Sequence, residues 1–304
     1  MKNYLVFDMG GSAVKWGVLD SSGSIRRQGS FPTPTDYLPD LYSGMKQCRQ
    51  QVEGDIDGIA LSCPGAVDSE KGTIGGCSAI PCIHGPNLKL DLEEKFQVRV
   101  ELENDANCAA LAELWLGEAK NNRDVIVMVL GTGVGGAIVK DRKIHRGKNL
   151  RAGELGLMYF EWETGVTPAW GRAVAPGYLV DRASEKLGYK VDGIELFRLA
   201  EKRLEPVAVD EVERWYQNMA KGILTIQYFF DPEKIIIGGG VSAKPGLIPM
   251  LRQAVIALAE KFPKPPVIPE LCKCRFDNSA NLVGALCHFL MKECDGSLPS
   301  FSFE

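Results

Sequence analysis

Short apolar runs alternate with glycine-rich breaks along the start of the chain, a pattern that predicts strands joined by tight turns. Tyr4-Leu5-Val6-Phe7 reads as a strand, Met9-Gly10-Gly11-Ser12 as a turn, and Val14-Lys15-Trp16-Gly17-Val18-Leu19 as a returning strand. Residues 20–23 form a further turn, with a third strand expected beyond it. Residues 38–52 predict a helix, and Gly58-Ile59-Ala60-Leu61-Ser62 a buried strand halted by Cys63-Pro64-Gly65. Residues 88–96 predict another helix and 98–102 another strand. Asn104 then caps a helix running to residue 115, with Asp105 in its first turn.

The opening pattern returns. Asp124-Val125-Ile126-Val127-Met128-Val129-Leu130 is a strand, Gly131-Thr132-Gly133-Val134-Gly135-Gly136 a turn, and Ala137-Ile138-Val139-Lys140 a returning strand. Later, residues 214–230 predict a helix, 234–237 a strand, and Gly238-Gly239-Gly240 a turn before a helix to about residue 261. Residues 281–292 form a last amphipathic helix. Alternating strands and helices make the fold α/β. Two like openings, far apart in sequence, predict two related domains facing each other, with the boundary near residues 117–123.

Composition narrows the picture. Hydrophobic residues are 45% and charged residues 24% of 304, enough apolar material for one large or two medium domains. A formal net charge of −4 offers no basic surplus for nucleic acid or an anionic membrane. Lys2 interrupts the N-terminal apolar stretch, which argues against a signal peptide. The uncharged apolar run of residues 125–139 is short for a bilayer and broken by glycines. Nine cysteines, an odd number without the spacing of a secreted framework, point to reduced thiols in the cytoplasm. The tight pair Cys272-Lys273-Cys274 reads as free thiols.

Glycine is the outlier. There are 33, where average usage of about 7% gives roughly 21. Gly131, Gly133 and Gly136 satisfy Gly-x-Gly-x-x-Gly, but a dinucleotide site needs a helix directly after the turn. Ala137-Ile138-Val139 is instead strand-like, followed by a hairpin turn at Lys140-Asp141-Arg142-Lys143. The chain contains no Walker P-loop either. Glycine-rich hairpin turns can nevertheless present backbone N–H groups to anionic oxygens. Residues 8–12 and 131–136 could therefore grip a polyphosphate from both sides of a cleft. Gly238-Gly239-Gly240 could lie flat against a base or ribose.

Phe7-Asp8-Met9-Gly10-Gly11-Ser12, Leu130-Gly131-Thr132-Gly133-Val134-Gly135-Gly136 and Ile237-Gly238-Gly239-Gly240 resemble the two phosphate motifs and the adenosine motif of actin-like ATPases. Glu103-Asn104-Asp105-Ala106-Asn107-Cys108-Ala109-Ala110 and Ala152-Gly153-Glu154-Leu155-Gly156 resemble the ROK family of repressors and kinases. The resemblance implies two ribonuclease-H-like domains with a nucleotide and sugar cleft between them, and ATP-dependent phosphorylation of a sugar. Residues 1–118 with 280–304 would form a small domain carrying the sugar site and first phosphate motif. Residues 119–279 would form a large domain with the other two motifs. Repressors of the family carry a DNA-binding region before the first phosphate strand, which here begins at Tyr4.

Asp105 matches the family's catalytic base; its plainer reading is a capping carboxylate. Asp8 could hold Mg²⁺ directly or through water. Gly10, Gly11, Ser12, Gly131, Thr132, Gly133, Gly135 and Gly136 would face the phosphates, and Gly238, Gly239 and Gly240 the adenosine. Lys15 is a candidate that could equally cover a strand surface. Pro64, Gly65, Asn104 and Glu154 match sugar-contacting positions, Glu154 being otherwise a surface carboxylate. Many members follow Gly-Glu-x-Gly with His and a cysteine-rich zinc knuckle. Leu157 stands at the His position, and residues 146–271 contain neither Cys nor His, so no structural zinc of the usual type is expected. In this the chain looks most like zinc-free β-glucoside kinases, which act at a 6-hydroxyl. Glucose and N-acetylmannosamine remain alternative substrates, and a catalytically inactive sugar-responsive regulator an alternative of another class. Trp162 and Trp170 could stack on a second sugar ring, core packing being the plainer role. The family implies a homodimer.

Overall fold

The computed structural model describes residues 2–131, 133–159, 169–263, 266–294 and 296–299. The chain divides into two compact units, one of Met1–Lys120, Arg146–Ala152 and Asn278–Glu304, the other of Asn121–His145 and Gly153–Asp277. In chain order the first contributes β1 (Asn3–Met9), β2 (Ala13–Asp20), β3 (Ile25–Pro32), α1 (Leu38–Gln50) and β4 (Gly58–Cys63). A small hairpin of β5 (Ala66–Asp68) and β6 (Thr73–Gly75) follows, then α2 (Leu88–Phe96), β7 (Val100–Asn104) and α3 (Asp105–Leu116). The second unit contributes β8 (Val125–Leu130), β9 (Val134–Lys140), β10 (Lys143–Ile144), α4 (Trp170–Val174), α5 (Pro176–Leu187) and α6 (Gly193–Glu201). It continues with α7 (Pro206–Phe230), β11 (Lys234–Gly238), α8 (Leu247–Ala259) and β12 (Leu271–Lys273), before α9 (Ala280–Glu293) closes the first unit.

Each unit is built on a five-stranded sheet, β3-β2-β1-β4-β7 in the first and β10-β9-β8-β11-β12 in the second. In both, the central strand runs antiparallel to the next strand in sequence and parallel to its other neighbour. The mixed α/β fold of two such units is that of the actin-like ATPases.

Period-two alternation along β1 sorts its side chains between two layers. Leu5, Phe7 and Met9 enter a core with Leu41 and Met45 of α1 and Leu88 and Leu92 of α2. Tyr4 points the other way, its ring centroid 5.2 Å from that of Phe289 on α9. Asp8 shares that face and so comes to Asn281, at the start of the same helix. In the second unit Ile126, Met128 and Leu130 pack with Trp170, Trp215, Ile223 and Leu251.

Several sequence expectations are corrected. β9 opens at Val134, so Gly135 and Gly136 are strand residues paired with Val129 and Met128, not part of the turn. A Cβ on Gly136 would stand 2.5 Å from Leu155 Cδ1, so a close approach explains this glycine. β7 lies at Val100–Asn104 and not at 98–102, and α7 begins at Pro206, well before residue 214. Proline at the first helical position and the Glu205 carboxylate, which accepts the Val207 N–H, start α7 there. The third glycine turn leads into a single 3₁₀ turn at Gly240–Ala243 before α8. The sequence reading passed over α5 and α6, although Pro176 starts α5, Gly188 ends it, and the Asp192 side chain caps α6 at Glu195 N–H. Trp170 is fully buried and donates its indole N–H to the Asn218 carbonyl at 2.8 Å, which makes it core and not a sugar platform.

The hairpin after β9 turns through Asp141 and Arg142, both at positive φ, the backbone of a tight two-residue hairpin turn. A strand therefore follows the second glycine turn, the arrangement that argues against a dinucleotide fingerprint. No helix among the described residues is long and apolar enough to cross a membrane.

Candidate functional site

In the first unit, β1 carries Asp8 to the edge of the first glycine turn. The carboxylate is 7% exposed, and its Oδ1 accepts the Ser62 hydroxyl at 2.8 Å and the Asn281 amide at 2.9 Å. The turn itself is tied down. Gly10 donates its N–H to the Asp8 carbonyl, Thr33 Oγ1 donates to the Gly10 carbonyl at 2.6 Å, and Thr33 N–H donates to the Ser12 carbonyl. Gly11 and Ser12 are exposed. Lys15 lies opposite Asp8 in the β1–β2 register and is exposed.

Asn104 and Asp105 meet at the junction of β7 and α3. Asn104 takes the cap position with extended backbone, and its Oδ1 accepts the Asn107 N–H at 3.1 Å. Its Nδ2 donates to the Gly65 carbonyl at 3.1 Å and to Asp105 Oδ1 at 2.9 Å. The same Asp105 oxygen accepts the Ala106 N–H at 2.8 Å. Gly65 can offer its carbonyl here because it sits at φ +99°, where L side chains are strained. The structure thus joins Gly65, Asn104 and Asp105 in one hydrogen-bonded chain at the N-terminus of α3. Burial and the negative charges of Asp105, Asp8 and Glu103 push the buried Cys63 thiol well up, which keeps it an inert thiol. Strand register sets Asp8 and Glu103 on either side of Ser62 and Asn104 beside Cys63, so the carboxylates gather at the end of β4.

In the second unit, Gly131 and Gly133 have open space on the side where a Cβ would stand, and Gly131 N–H donates to the Gly133 carbonyl at 2.9 Å. Thr132 lies outside the described residues, as does Trp162. Gly239 sits at φ +86°, and a Cβ there would stand 2.1 Å from the Leu130 carbonyl oxygen, so the third turn is pressed against the last residue before the second. Gly238 is likewise a packing position, against Cys274 Sγ, which leaves Gly240 as the open glycine of the three. Glu154 is exposed and follows Gly153, whose lack of a side chain lets it lie against the Gly136 backbone.

Gly240 lines a cavity of about 860 Å³. Leu179 and Val180 of α5, Ile194 and Phe197 of α6, and Trp215 of α7 supply apolar wall; Val241, Ala243 and Lys244 supply the other side. Lys244 Nζ lies 2.5 Å from Glu201 Oε1 and 4.9 Å from the Phe197 ring centroid. A largely apolar cavity with a few polar side chains in its lining suits a heteroaromatic base. Its α5 and α6 walls were missed in sequence, where Pro176 and the Asp192-x-x-Glu195 cap were the available signals. No cluster of His, Cys, Asp and Glu able to hold a metal occurs among the described residues.

A model of the ROK family matches residues 4–292. A β-glucoside kinase from Listeria monocytogenes is 32% identical over 293 residues, spanning 94% of this chain and 97% of that protein. An N-acetyl-D-glucosamine kinase from Vibrio cholerae is 31% identical over 258 residues, 79% of this chain and 84% of that protein. Among solved structures, a ROK family protein from Streptococcus pneumoniae in complex with sucrose superposes with a TM-score of 0.89 at 34% identity, covering 96% of this chain and 99% of that one.

Proposed function

The chain belongs to the ROK family, and from that premise we propose a substrate and a mechanism for it. It is an ATP-dependent sugar kinase. The acceptor we assign is the 6-hydroxyl of a β-glucoside. Similarity to a β-glucoside kinase over nearly the whole of both chains supports this, and a solved relative that holds sucrose supports room for a two-ring sugar of some kind. Leu157, 65% exposed where many members carry histidine, fits a site open to a second ring.

The hydrogen-bonded chain from Gly65 through Asn104 to Asp105 carries the mechanistic reading. Phosphoryl transfer asks mostly for positioning and charge stabilisation. Asp105, held at Oδ1 by two donors, orients the attacking hydroxyl and takes its proton late in the transfer. We assign Asn104, Gly65 and the exposed carboxylate of Glu154 to the sugar's other hydroxyls. We assign the backbone N–H groups of Gly11, Ser12 and Gly133 to the phosphates, those of Gly10 and Gly131 being held by the Asp8 and Gly133 carbonyls, and the cavity beside Gly240 to the base.

Asp8 fits a magnesium ion: it is a buried carboxylate with one oxygen held by Ser62 and Asn281. Its other oxygen would hold the ion, directly or through water. Bound there, Mg²⁺ would neutralise charge on the transferring phosphate. We place the enzyme in the cytoplasm, in keeping with nine cysteines that lack the spacing of a secreted framework, and propose a homodimer, which light scattering after size exclusion tests.

The test is ADP release with a panel of cellobiose, aryl β-glucosides, glucose, N-acetylglucosamine and N-acetylmannosamine. β-Glucosides are expected to give the highest kcat/KM. A higher value for a monosaccharide overturns the substrate; no stimulation by any sugar overturns the reaction.

A further inference from the structure

Glu103 precedes the two residues on which the proposed chemistry rests, yet that chemistry does not use it. Its side chain is fully buried, a costly place for a carboxylate unless its oxygens are paired. Both oxygens are in use. Oε1 accepts the Asn104 N–H at 2.8 Å and the Asn107 side-chain amide at 2.9 Å. Oε2 accepts Arg146 Nε at 3.1 Å and Arg146 Nη2 as well, with His288 Nδ1 at 3.7 Å.

These bonds enclose Asp105. Asn104 and Asn107 flank it in sequence, each is bonded to Glu103, and Asn104 Oδ1 also accepts the Asn107 N–H. The first turn of α3 is thereby cross-braced around the aspartate, and Asn104 Nδ2 reaches Asp105 Oδ1 from the same brace. Arg146 enters from the loop segment Arg146–Ala152, folded back by the Ala152 N–H bond to the Arg146 carbonyl at 3.1 Å. Burial alone would raise the Glu103 carboxyl, but its cationic surroundings and amide donors hold it below the ordinary value. Burial pushes His288 down, so its ring is a poor source of permanent charge. Arg146 is the cation that stays charged.

We infer that Arg146 is a positioning residue for phosphoryl transfer: through Glu103 it fixes Asn104 and Asn107, and so the direction of the Asp105 carboxylate. This rests on the reading of Asp105 as the base. A truncated Arg146 leaves Glu103 buried without its fork of donors, and the carboxylate can then reorient or take a proton and release the brace. The Arg146 side chain is 32% exposed, so a small cation from solvent can reach the space that truncation opens.

Steady-state kinetics on the full chain test this with Arg146→Ala, Arg146→Lys and Asp105→Asn, alongside circular dichroism and thermal melts. Arg146→Ala is expected to lower kcat by about 10- to 100-fold with KM for ATP unchanged. Millimolar guanidinium chloride should restore kcat several-fold where equal potassium chloride does not. Arg146→Lys keeps the charge without the fork, retains the fold even if the alanine variant does not, and should lose roughly 3- to 10-fold in kcat. A kcat within twofold of wild type in both Arg146 variants, or a kcat loss that tracks a lowered melting temperature and ignores guanidinium, overturns the inference. Wild-type turnover in Asp105→Asn overturns this inference and the mechanism together. An inactive Asp105→Asn beside unimpaired Arg146 variants overturns this inference alone.

Discussion

The two sheets share one strand order, but they place different things at the end of the central strand. In the first unit β1 ends on Asp8-Met9, and the turn after it is tied down: Thr33 binds it at the Gly10 and Ser12 carbonyls, and a Cβ at Gly11 would stand 2.8 Å from the Ala79 Cβ. In the second, β8 ends on Val129-Leu130, and Gly131 and Gly133 face open space. A repeated scaffold has thus been specialised: one turn supplies a held acid, the other bare backbone. The same contrast runs to the far strands. β7 delivers Asn104 and Asp105 to a helix start, while β12 ends on Lys273 beside the packing contact of Cys274 with Gly238.

The largest break in this comparison comes from the acid that opens the helix after the first unit's last strand. Asp105→Asn is expected to lower kcat by about 10²- to 10⁴-fold with an unchanged circular dichroism spectrum. Near-normal turnover would remove Asp105 from the mechanism. Asp8→Asn makes the first strand end resemble the second; kcat/KM for MgATP should fall by about 100-fold, with a steeper dependence on magnesium concentration. Equal magnesium dependence in variant and wild type would count against Asp8 as the ion's ligand.

The second unit's cavity is probed by Ala243→Phe, which fills it beside Gly240. KM for ATP should rise about tenfold with kcat kept; an unchanged KM would move the base elsewhere. Smaller still, Gly11→Ala should cost about 1–3 kcal/mol in urea unfolding because the turn is packed. Gly131→Ala should cost less than about 0.5 kcal/mol because its surroundings are open. Equal costs would erase the difference between the turns.

Acid should separate the two units last. His288 has its folded value lowered by burial, so below its ordinary value the unfolded chain binds the proton more readily. Stability therefore falls as pH drops through about 6.5. Glu103, also lowered, adds its loss only in the carboxylate range, as does Glu211 of the second unit, which burial would raise but Lys186 and Arg182 hold down. Hydrogen exchange between pH 7 and 5.5 should thus accelerate in α9 before it does in α7; the reverse order would contradict the assignment.

Local pattern carried much of this into view. Apolar alternation and glycine turns located β1, β2, β4, β8 and β11, and the cap at Asn104 with Asp105 behind it was legible because capping is decided within four residues. Two like openings announced the repeat. Gly135 and Gly136 were misread as turn because a glycine run looks the same whether it faces a ligand or a neighbouring backbone. Gly238 and Gly239 carried the same ambiguity.

The partners of the reactive groups lay beyond local pattern altogether. Ser62 and Asn281 reach Asp8 from 54 and 273 positions away, and Arg146 reaches Glu103 from 43. No periodicity encodes such separations; strand register and helix packing choose them. The sequence by itself determined the strands, the turns and the acids at their ends, because short-range sterics and hydrophobic period act within a few residues. Only the tertiary structure decided which glycine stands open and which is packed, and which cation steadies the buried carboxylate beside the base. Those are questions of distance between segments that the chain order keeps apart.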